Sequence, residues 1–310
     1  MIRFARHQLA VLATAGLLAG SAFAGGEQWT EDFAAAQETA QSEGKDMILD
    51  FTGSDWCGWC IKLNEEVFSQ ESFQAYAPEH FVLVELDYPT PAVEQSDELK
   101  AQNAELKEHY AIQGYPTIFL TDAQGVPYAQ TGYQAGGPDT YVEHLEELRQ
   151  IRVNRDEQMD AAEQAQGVEK AGHLHEALQA VGDDLALKYY KETVQQIIEL
   201  DADNEAGLKQ HYQDLFTAVK QREAMAAIMQ GARADAAGAV AALDAFLGQD
   251  DLVTAIRQEA LANKSQIQLF MLEDKPAAKA TLEAAIAVDP DSEMAEMLRG
   301  AIARFFPEGE

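Results

Sequence analysis

The sequence is poor in basic residues. It has 22 Lys and Arg against 53 Asp and Glu, and its formal net charge is −31. Such a surface repels nucleic acid and anionic membranes, so we expect no nucleic-acid partner. A second long hydrophobic run is also absent, so we expect no stable membrane insertion. The hydrophobic content of 47% is high enough for packed cores, and 310 residues are enough for two domains.

The first 24 residues have the pattern of a cleavable signal peptide. Arg3 and Arg6 precede a short apolar segment at 9–18, and Ala22-Phe23-Ala24 is an A-x-A cleavage motif. The apolar segment is shorter than the roughly 20 residues that a membrane span needs. We therefore expect cleavage after Ala24 and a periplasmic or secreted protein, in a compartment where disulfides persist.

The chain has two cysteines, Cys57 and Cys60, which are separated by two residues and flanked by Trp56 and Trp59. An apolar run at 47–51 predicts a buried strand before them, and helical spacing of apolar residues follows. A C-x-x-C motif between a strand and a helix indicates a redox pair rather than half of a zinc site. The N-terminus of a helix stabilises a thiolate, the form of cysteine that attacks disulfides. We expect this effect to act most strongly on Cys57, and Cys60 is one turn further on.

The residues around the cysteines alternate between helical and strand patterns. Apolar spacing and turn residues predict helices over 29–44, 57–76 (with a break near Ser69), 96–110 and 138–154, and strands over 47–52, 81–87, 118–120 and 126–131. The turn Asp122–Gly125 joins the last two strands into a hairpin. The order is helix, strand, helix, strand, helix, hairpin and closing helix.

Three segments make this part of the chain similar to the thioredoxin family. They are DFTGSDWCGWC at 50–60, GYPT at 114–117 and DAQGVPYAQTGY at 122–133. The resemblance implies a thioredoxin-like α/β domain over 25–155, with a central mixed sheet and flanking helices. It also implies a cis bond before Pro116, which is plausible because cis costs little at X-Pro. The backbone of Tyr115 would then pair with an extended client chain.

The resemblance also implies roles for the residues around the thiols. Cys57 would be the nucleophile and Cys60 the resolving thiol. Asp50 resembles the buried carboxylate of the family, which helps to move the proton of the resolving cysteine. The loop between Asp50 and Cys57 is one residue longer than in thioredoxin, so an ordinary strand-end residue is the alternative interpretation of Asp50. We expect the Cys57 sulfur to be reachable by solvent and close to Pro116.

The two tryptophans beside the thiols are candidates for client contact. Trp56 and Trp59 would form a substrate-binding patch together with Tyr115 and Pro116, whereas the alternative is that both indoles are plain surface aromatics. Gly58-Trp59 stands where thioredoxin has Gly-Pro. That change should alter the redox potential, in a direction that the sequence does not give.

Residues 156–310 have a different composition, rich in Ala, Leu, Glu and Gln and free of Trp and Cys. Similar helix ends recur at 197–204 and 285–292, with a weaker copy at 246–251. The ends resemble tetratricopeptide boundaries at a spacing of about 40–50 residues, longer than the usual 34. We predict an all-α helical-hairpin repeat domain, tetratricopeptide-like, that presents a concave face to a partner. His173 and His175 are interpreted as a solvated helix start, and we expect neither a metal site nor a cofactor.

Two functions are compatible with this sequence. The first is an exported thiol–disulfide oxidoreductase that exchanges disulfides with client proteins through Cys57 and Cys60, with a membrane redox partner as a further candidate. In the second, the protein is a binding or scaffold module whose thiols are vestigial or structural. The direction of electron transfer is left open.

Overall fold

The computed structural model describes residues 28–307. The predicted signal peptide and its cleavage site lie outside the described residues. The chain divides into two compact units at the junction of Arg152 and Val153.

The first unit is built around a five-stranded mixed sheet with the order β1-β3-β2-β4-β5. Strands β1 and β2 both run parallel to β3, β4 is antiparallel to β2, and β5 is antiparallel to β4. The central strand β2 is buried along its whole length, as its apolar run predicts. The strands are β1 (Trp29–Thr30), β2 (Asp46–Thr52), β3 (Phe81–Asp87), β4 (Thr117–Thr121) and β5 (Pro127–Thr131).

Helices connect and flank these strands. They are α1 (Phe33–Glu43), α2 (Gly58–Leu63), α3 (Glu71–His80), α4 (Asp97–His109) and α5 (Gly137–Gln164). Local capping fixes several of their ends. The Asp32 carboxylate accepts a hydrogen bond from the Ala35 N–H at the start of α1, and Gly44 ends that helix in the left-handed conformation with φ 66°. The Ser96 hydroxyl caps α4 in the same way as Asp32 caps α1.

The predicted mixed sheet with flanking helices is confirmed, whereas the predictions for Trp29 and for the end of α5 are wrong. Trp29 lies in the short edge strand β1 and not in the first helix, because it pairs with Leu83 of β3. The predicted break near Ser69 is present: a π-helical segment at Asn64–Phe68 ends at Ser69, and the next helix begins at Glu71. Helix α5 continues ten residues beyond the predicted end at Asn154.

The second unit consists of helices, which confirms the all-α prediction. They are α6 (Gly167–Val181), α7 (Asp183–Tyr189), α8 (Lys191–Leu200), α9 (Leu208–Gly231), α10 (Ala236–Leu247), α11 (Thr254–Phe270), α12 (Lys275–Val288) and α13 (Glu293–Phe305). Their main packing pairs are close in the sequence order, such as α6 with α8 and α11 with α12. The three similar sequence segments each lie at a turn between helices, after α8, α10 and α12.

Candidate functional site

The two cysteines lie where the loop after β2 enters α2. Cys57 is the N-cap of α2 and has an extended backbone, and its Sγ accepts a hydrogen bond from the Cys60 N–H at 3.2 Å. The two sulfurs are joined in a disulfide. A backbone N–H directed at a sulfur on the positive end of a helix favours the thiolate once the bond is reduced.

Little of either cysteine is exposed to solvent. The exposed fraction is 7% for Cys57 and 4% for Cys60, whereas the neighbouring Trp56 and Trp59 are 50% and 58% exposed. The Cys57 sulfur is therefore less open than the sequence suggests. Its role as a helix cap explains this, because the sulfur turns toward the Cys60 N–H instead of outward.

Trp56 connects the cysteine loop to two neighbouring segments. Its indole N–H donates a hydrogen bond to the Tyr88 carbonyl oxygen at 2.8 Å, and its ring meets Tyr115 edge-on with centroids 5.6 Å apart. This position requires a glycine at 53, since a Cβ there would lie 2.6 Å from the Trp56 ring. Gly53 therefore lets the indole lie across the turn that leads to Cys57.

Tyr115 and Pro116 lie at the same edge of the sheet as the end of β2. The peptide bond between them is cis. Pro116 directly precedes β4, in which Thr117 pairs with Phe51 near the C-terminal end of β2. The Tyr115 ring also packs on Tyr88 with centroids 5.3 Å apart. Contacts through Trp56 thus bring Tyr115 together with the segment that carries Cys57.

Trp59 is part of a second aromatic contact that the sequence did not reveal. Its ring packs against Tyr133, which follows β5, with centroids 5.1 Å apart. The Lys62 ammonium lies 5.2 Å from the Trp59 ring centroid and 4.8 Å from that of Tyr133, within cation–π range. Tyr133 is the last residue of the hairpin motif, but its pairing with Trp59 depends on tertiary structure.

Asp50 lies behind the cysteines. Asp50 and Cys60 line the same cavity of about 100 Å³. Among the residues described, the Asp50 Oδ1 atom is one of the buried side-chain oxygens with no hydrogen-bond partner. Burial raises the pKa of Asp50 well above its usual value, and the carboxylates of Glu85 and Asp87 raise it further. Asp50 therefore keeps a proton at pH values where an exposed aspartate has lost it.

His173 and His175 lie half-buried in the middle of α6 (Gly167–Val181) and not at a solvated helix start, so that interpretation is wrong. His173 Nδ1 lies 2.8 Å from Gln158 Oε1, and His175 Nδ1 lies 3.0 Å from the Tyr212 hydroxyl. Within residues 28–307, no group of three or more His, Cys, Asp or Glu side chains is arranged to hold a metal ion. In the same part of the chain, every helix is too short or too polar to cross a bilayer.

Known proteins share the first unit. A family model described as a thioredoxin-like domain matches residues 33–149. The chain is 36% identical over 125 residues to the disulfide bond reductase DsbH of Chlamydia pneumoniae. The aligned segment covers 40% of this chain and 74% of that protein. It is 31% identical over 94 residues to the thioredoxin-related protein DsbJ of the same organism, covering 30% of this chain and 26% of that protein. A solved structure of a DsbH oxidoreductase matches at 32% identity and a TM-score of 0.38, covering 46% of this chain and 94% of that one.

A mixed sheet with a disulfide-bonded C-x-x-C pair at the start of the helix after its central strand defines a thioredoxin-like redox domain. The alignment with DsbH, at 36% identity, covers 74% of that relative. The chain belongs to the thioredoxin-like family of thiol–disulfide oxidoreductases. Proteins with thiols or disulfides are accordingly its general class of partner. The second unit lies outside the matched residues.

Proposed function

We propose that this protein is an exported thiol–disulfide oxidoreductase in which Cys57 is the nucleophile and Cys60 the resolving thiol. The observation that carries this proposal is the Cys57 sulfur at the N-terminus of α2, bonded to Cys60 and facing its N–H at 3.2 Å. A backbone N–H and the positive end of a helix stabilise a thiolate, so Cys57 is the sulfur placed to act as the nucleophile after reduction.

The exchange proceeds through a mixed disulfide. The Cys57 thiolate attacks a client S–S bond, forms a Cys57–client disulfide and releases one client sulfur as a thiolate. The Cys60 thiol loses its proton, and its sulfur then attacks the Cys57 sulfur and releases the second client sulfur. The client disulfide gains two electrons, and the cysteine pair loses two. The reverse sequence oxidises a client dithiol.

The reducing direction is favoured by two observations. The relative DsbH is named a disulfide bond reductase. The cavity behind Cys60 is also lined by the acidic residues Asp50 and Glu85. Negative charge beside Cys60 disfavours a thiolate, so it destabilises the thiolate-containing reduced form relative to the disulfide and makes the pair a better electron donor. The opposite case is DsbA, a strong oxidant because its reduced form is stabilised.

Asp50 is the candidate carrier for the Cys60 proton. It lines the cavity that Cys60 also lines, and burial together with the Glu85 carboxylate raises its pKa well above its usual value. A general base acts best when its pKa is near the working pH. Asp50 accepts the proton when Cys60 attacks and returns it when the disulfide is opened.

The client-binding surface consists of Trp56, Trp59, Tyr115 and Pro116. The two indoles are the most exposed aromatic groups beside the disulfide, and Tyr115 contacts one of them. An extended client segment would pair with the backbone of Tyr115 by strand addition, with its side chains against the indoles. Their apolar rings suit unfolded or flexible clients.

The remaining parts of the proposal concern the rest of the chain. We assign 1–24 as a signal peptide cut after Ala24, which delivers the protein to the periplasm or outside the cell. We assign 25–155 as the redox domain and 156–310 as a tetratricopeptide-like helical domain that selects clients or a membrane redox partner. The similar turns after α8, α10 and α12 favour a repeat.

A trapping experiment tests the proposal. Because a Cys60→Ser variant has no resolving thiol, it should accumulate covalent adducts with disulfide-containing clients, and these adducts should disappear on treatment with dithiothreitol. The Cys57→Ser variant is the matched control and should trap none. Absence of adducts from Cys60→Ser, together with no insulin reduction by the wild type, would instead favour a scaffold function.

A further inference from the structure

Glu85 faces Asp50 across two neighbouring strands. In the parallel pairing of β2 with β3, Asp50 is aligned with Glu85. Aligned residues of parallel strands point to the same face of the sheet, and such strands lie about 4.8 Å apart. Both side chains are buried, with exposed fractions of 7% for Asp50 and 5% for Glu85. Two carboxyl groups are therefore held side by side in the interior.

This carboxyl pair borders the space next to the resolving cysteine. Asp50, Glu85 and Cys60 all line the cavity of about 100 Å³ behind the disulfide. The Asp50 Oδ1 atom is buried without a hydrogen-bond partner among the described residues. The free oxygen and the water-sized space beside it are what a proton exchange with the Cys60 sulfur requires.

We propose that Glu85 and Asp50 share one proton beside Cys60, so that Glu85 sets the pH at which Asp50 exchanges a proton with the Cys60 thiol. This inference rests on the proton-carrying role proposed above for Asp50. Glu85 is a positioning residue in this scheme, because it acts on Cys60 through Asp50. Two adjacent buried carboxyl groups cannot both ionise at low cost, so they lose their protons in two separate steps.

The charged and titratable groups around Asp50 support this assignment. Burial is the largest cause of its raised pKa and the Glu85 carboxylate is the next, ahead of Asp87. Asp87 accepts hydrogen bonds from the Ser54 N–H at 2.9 Å and from the Ser54 hydroxyl at 2.6 Å. Burial and the Asp50 carboxylate raise the pKa of Tyr141 of α5. Burial and the Asp87 carboxylate raise the pKa of Glu31, which precedes α1. The exposed Glu65 of the π-helical segment lines the same cavity as Asp50.

The pair enters the exchange at the step that Cys60 performs. The Cys60 thiol transfers its proton to the singly protonated pair, and its sulfur attacks the Cys57 sulfur of the mixed disulfide. A Cys57–Cys60 bond forms, the Cys57–client bond breaks, and the client leaves as a thiolate with the electron pair. In the reverse direction, the doubly protonated pair returns the proton to the Cys60 thiolate. No other reactant is needed.

The test is a titration of the oxidised full-length protein with Asp carboxyls labelled with carbon-13. Asp50 is assigned by the signal that Asp50→Asn loses. Glu85→Gln keeps the size of the side chain and removes its charge. We expect the Asp50 titration midpoint to fall by at least about one pH unit in Glu85→Gln. The pH profile of single-turnover insulin reduction should move in the same direction. Glu65→Gln, which alters an exposed carboxylate at the same cavity, should change neither.

A reciprocal measurement keeps the test valid if Glu85→Gln folds poorly. By the same coupling, the Glu85 signal of a protein labelled at Glu should titrate at lower pH in Asp50→Asn than in the wild type. An unchanged Asp50 midpoint in folded Glu85→Gln, an unchanged Glu85 midpoint in Asp50→Asn, or an unchanged rate profile would each overturn the inference. These titrations do not depend on exchange activity, so an inactive wild type would refute the proposed function and leave the midpoints as they are.

Discussion

Replacing Asp50 with Asn should stabilise the first unit at neutral and alkaline pH. Asp50 is 7% exposed, and its Oδ1 atom has no hydrogen-bond partner within the part of the chain that the structure describes. At high pH the folded protein must hold a buried carboxylate next to Glu85 and Asp87, whereas Asn carries no charge and its amide can donate to Glu85. When such a buried carboxyl group ionises without a partner for its charge, the desolvation penalty is at least about 1–3 kcal/mol. We expect the free energy of unfolding at pH 8 to rise by about that amount.

The pH dependence follows from the direction of the pKa shift. In the unfolded chain Asp50 ionises near its usual pKa of 3.8, whereas the folded protein keeps the proton to much higher pH. Below the unfolded pKa both states are protonated, so wild type and Asp50→Asn should be equally stable. As the pH rises above 3.8, ionisation favours the unfolded wild type, and the gap between the two proteins widens until the folded pKa is passed.

The assay is urea unfolding of the oxidised protein between pH 4 and pH 9, followed by tryptophan fluorescence. The three tryptophans are at 29, 56 and 59, all in the first unit, so the signal reports that unit even if the second unfolds separately. Asp55→Asn is the matched control. Hydrogen bonds from Thr90 lower the pKa of Asp55, so Asp55→Asn should destabilise the fold by a nearly constant amount over most of this range, because the contribution of Asp55 is lost only as the pH falls below its usual pKa of 3.8. The reasoning would be refuted if the free energies of unfolding of Asp50→Asn and the wild type were equal at pH 8, or if they differed by the same amount at every pH.

Two further predictions concern the aromatic surface. Gly53→Ala places a Cβ 2.6 Å from the Trp56 ring, so the indole must move and lose its hydrogen bond to the Tyr88 carbonyl oxygen. We therefore expect a changed tryptophan emission and a raised KM for insulin. Gly114→Ala is the control and should leave both unchanged, because a Cβ there meets nothing within 4 Å. Trp59→Ala removes a 58% exposed ring that packs on Tyr133, so we expect a several-fold higher KM with little loss of stability, whereas Trp59→Phe should restore part of the affinity. A Trp59→Ala enzyme with wild-type KM would remove Trp59 from the client surface.

The sequence predicted the central elements of the first unit because their signals are local. The apolar run of β2 and the left-handed stop at Gly44 are both readable from neighbouring residues. Trp29 was misplaced because it shares helical spacing with Phe33, while a two-residue edge strand has no periodicity of its own. The sequence predicts an end of α5 near Asn154, yet the helix runs on to Gln164, because no Gly or Pro follows Pro138 until Gly167.

The parts of the site that the sequence missed depend on pairing between distant segments. Glu85 looks like an ordinary polar position in a strand until the register of β2 and β3 sets it beside Asp50. Tyr133 becomes part of the site only because the hairpin brings it against Trp59, where Lys62 also lies. The cysteine pair was predictable because its chemistry lies within four consecutive residues. The carboxyl pair was not, because 35 positions separate its members in the sequence.

The reduction potential of the Cys57–Cys60 pair tests the central claim most directly. Equilibrating the protein in thiol–disulfide buffers and following tryptophan fluorescence, we expect a reversible two-electron titration with a midpoint nearer to about −270 mV, the value of thioredoxin, than to about −120 mV, the value of DsbA. A disulfide that stays oxidised at potentials below about −300 mV, as structural disulfides do, would contradict an exchange function for these two cysteines.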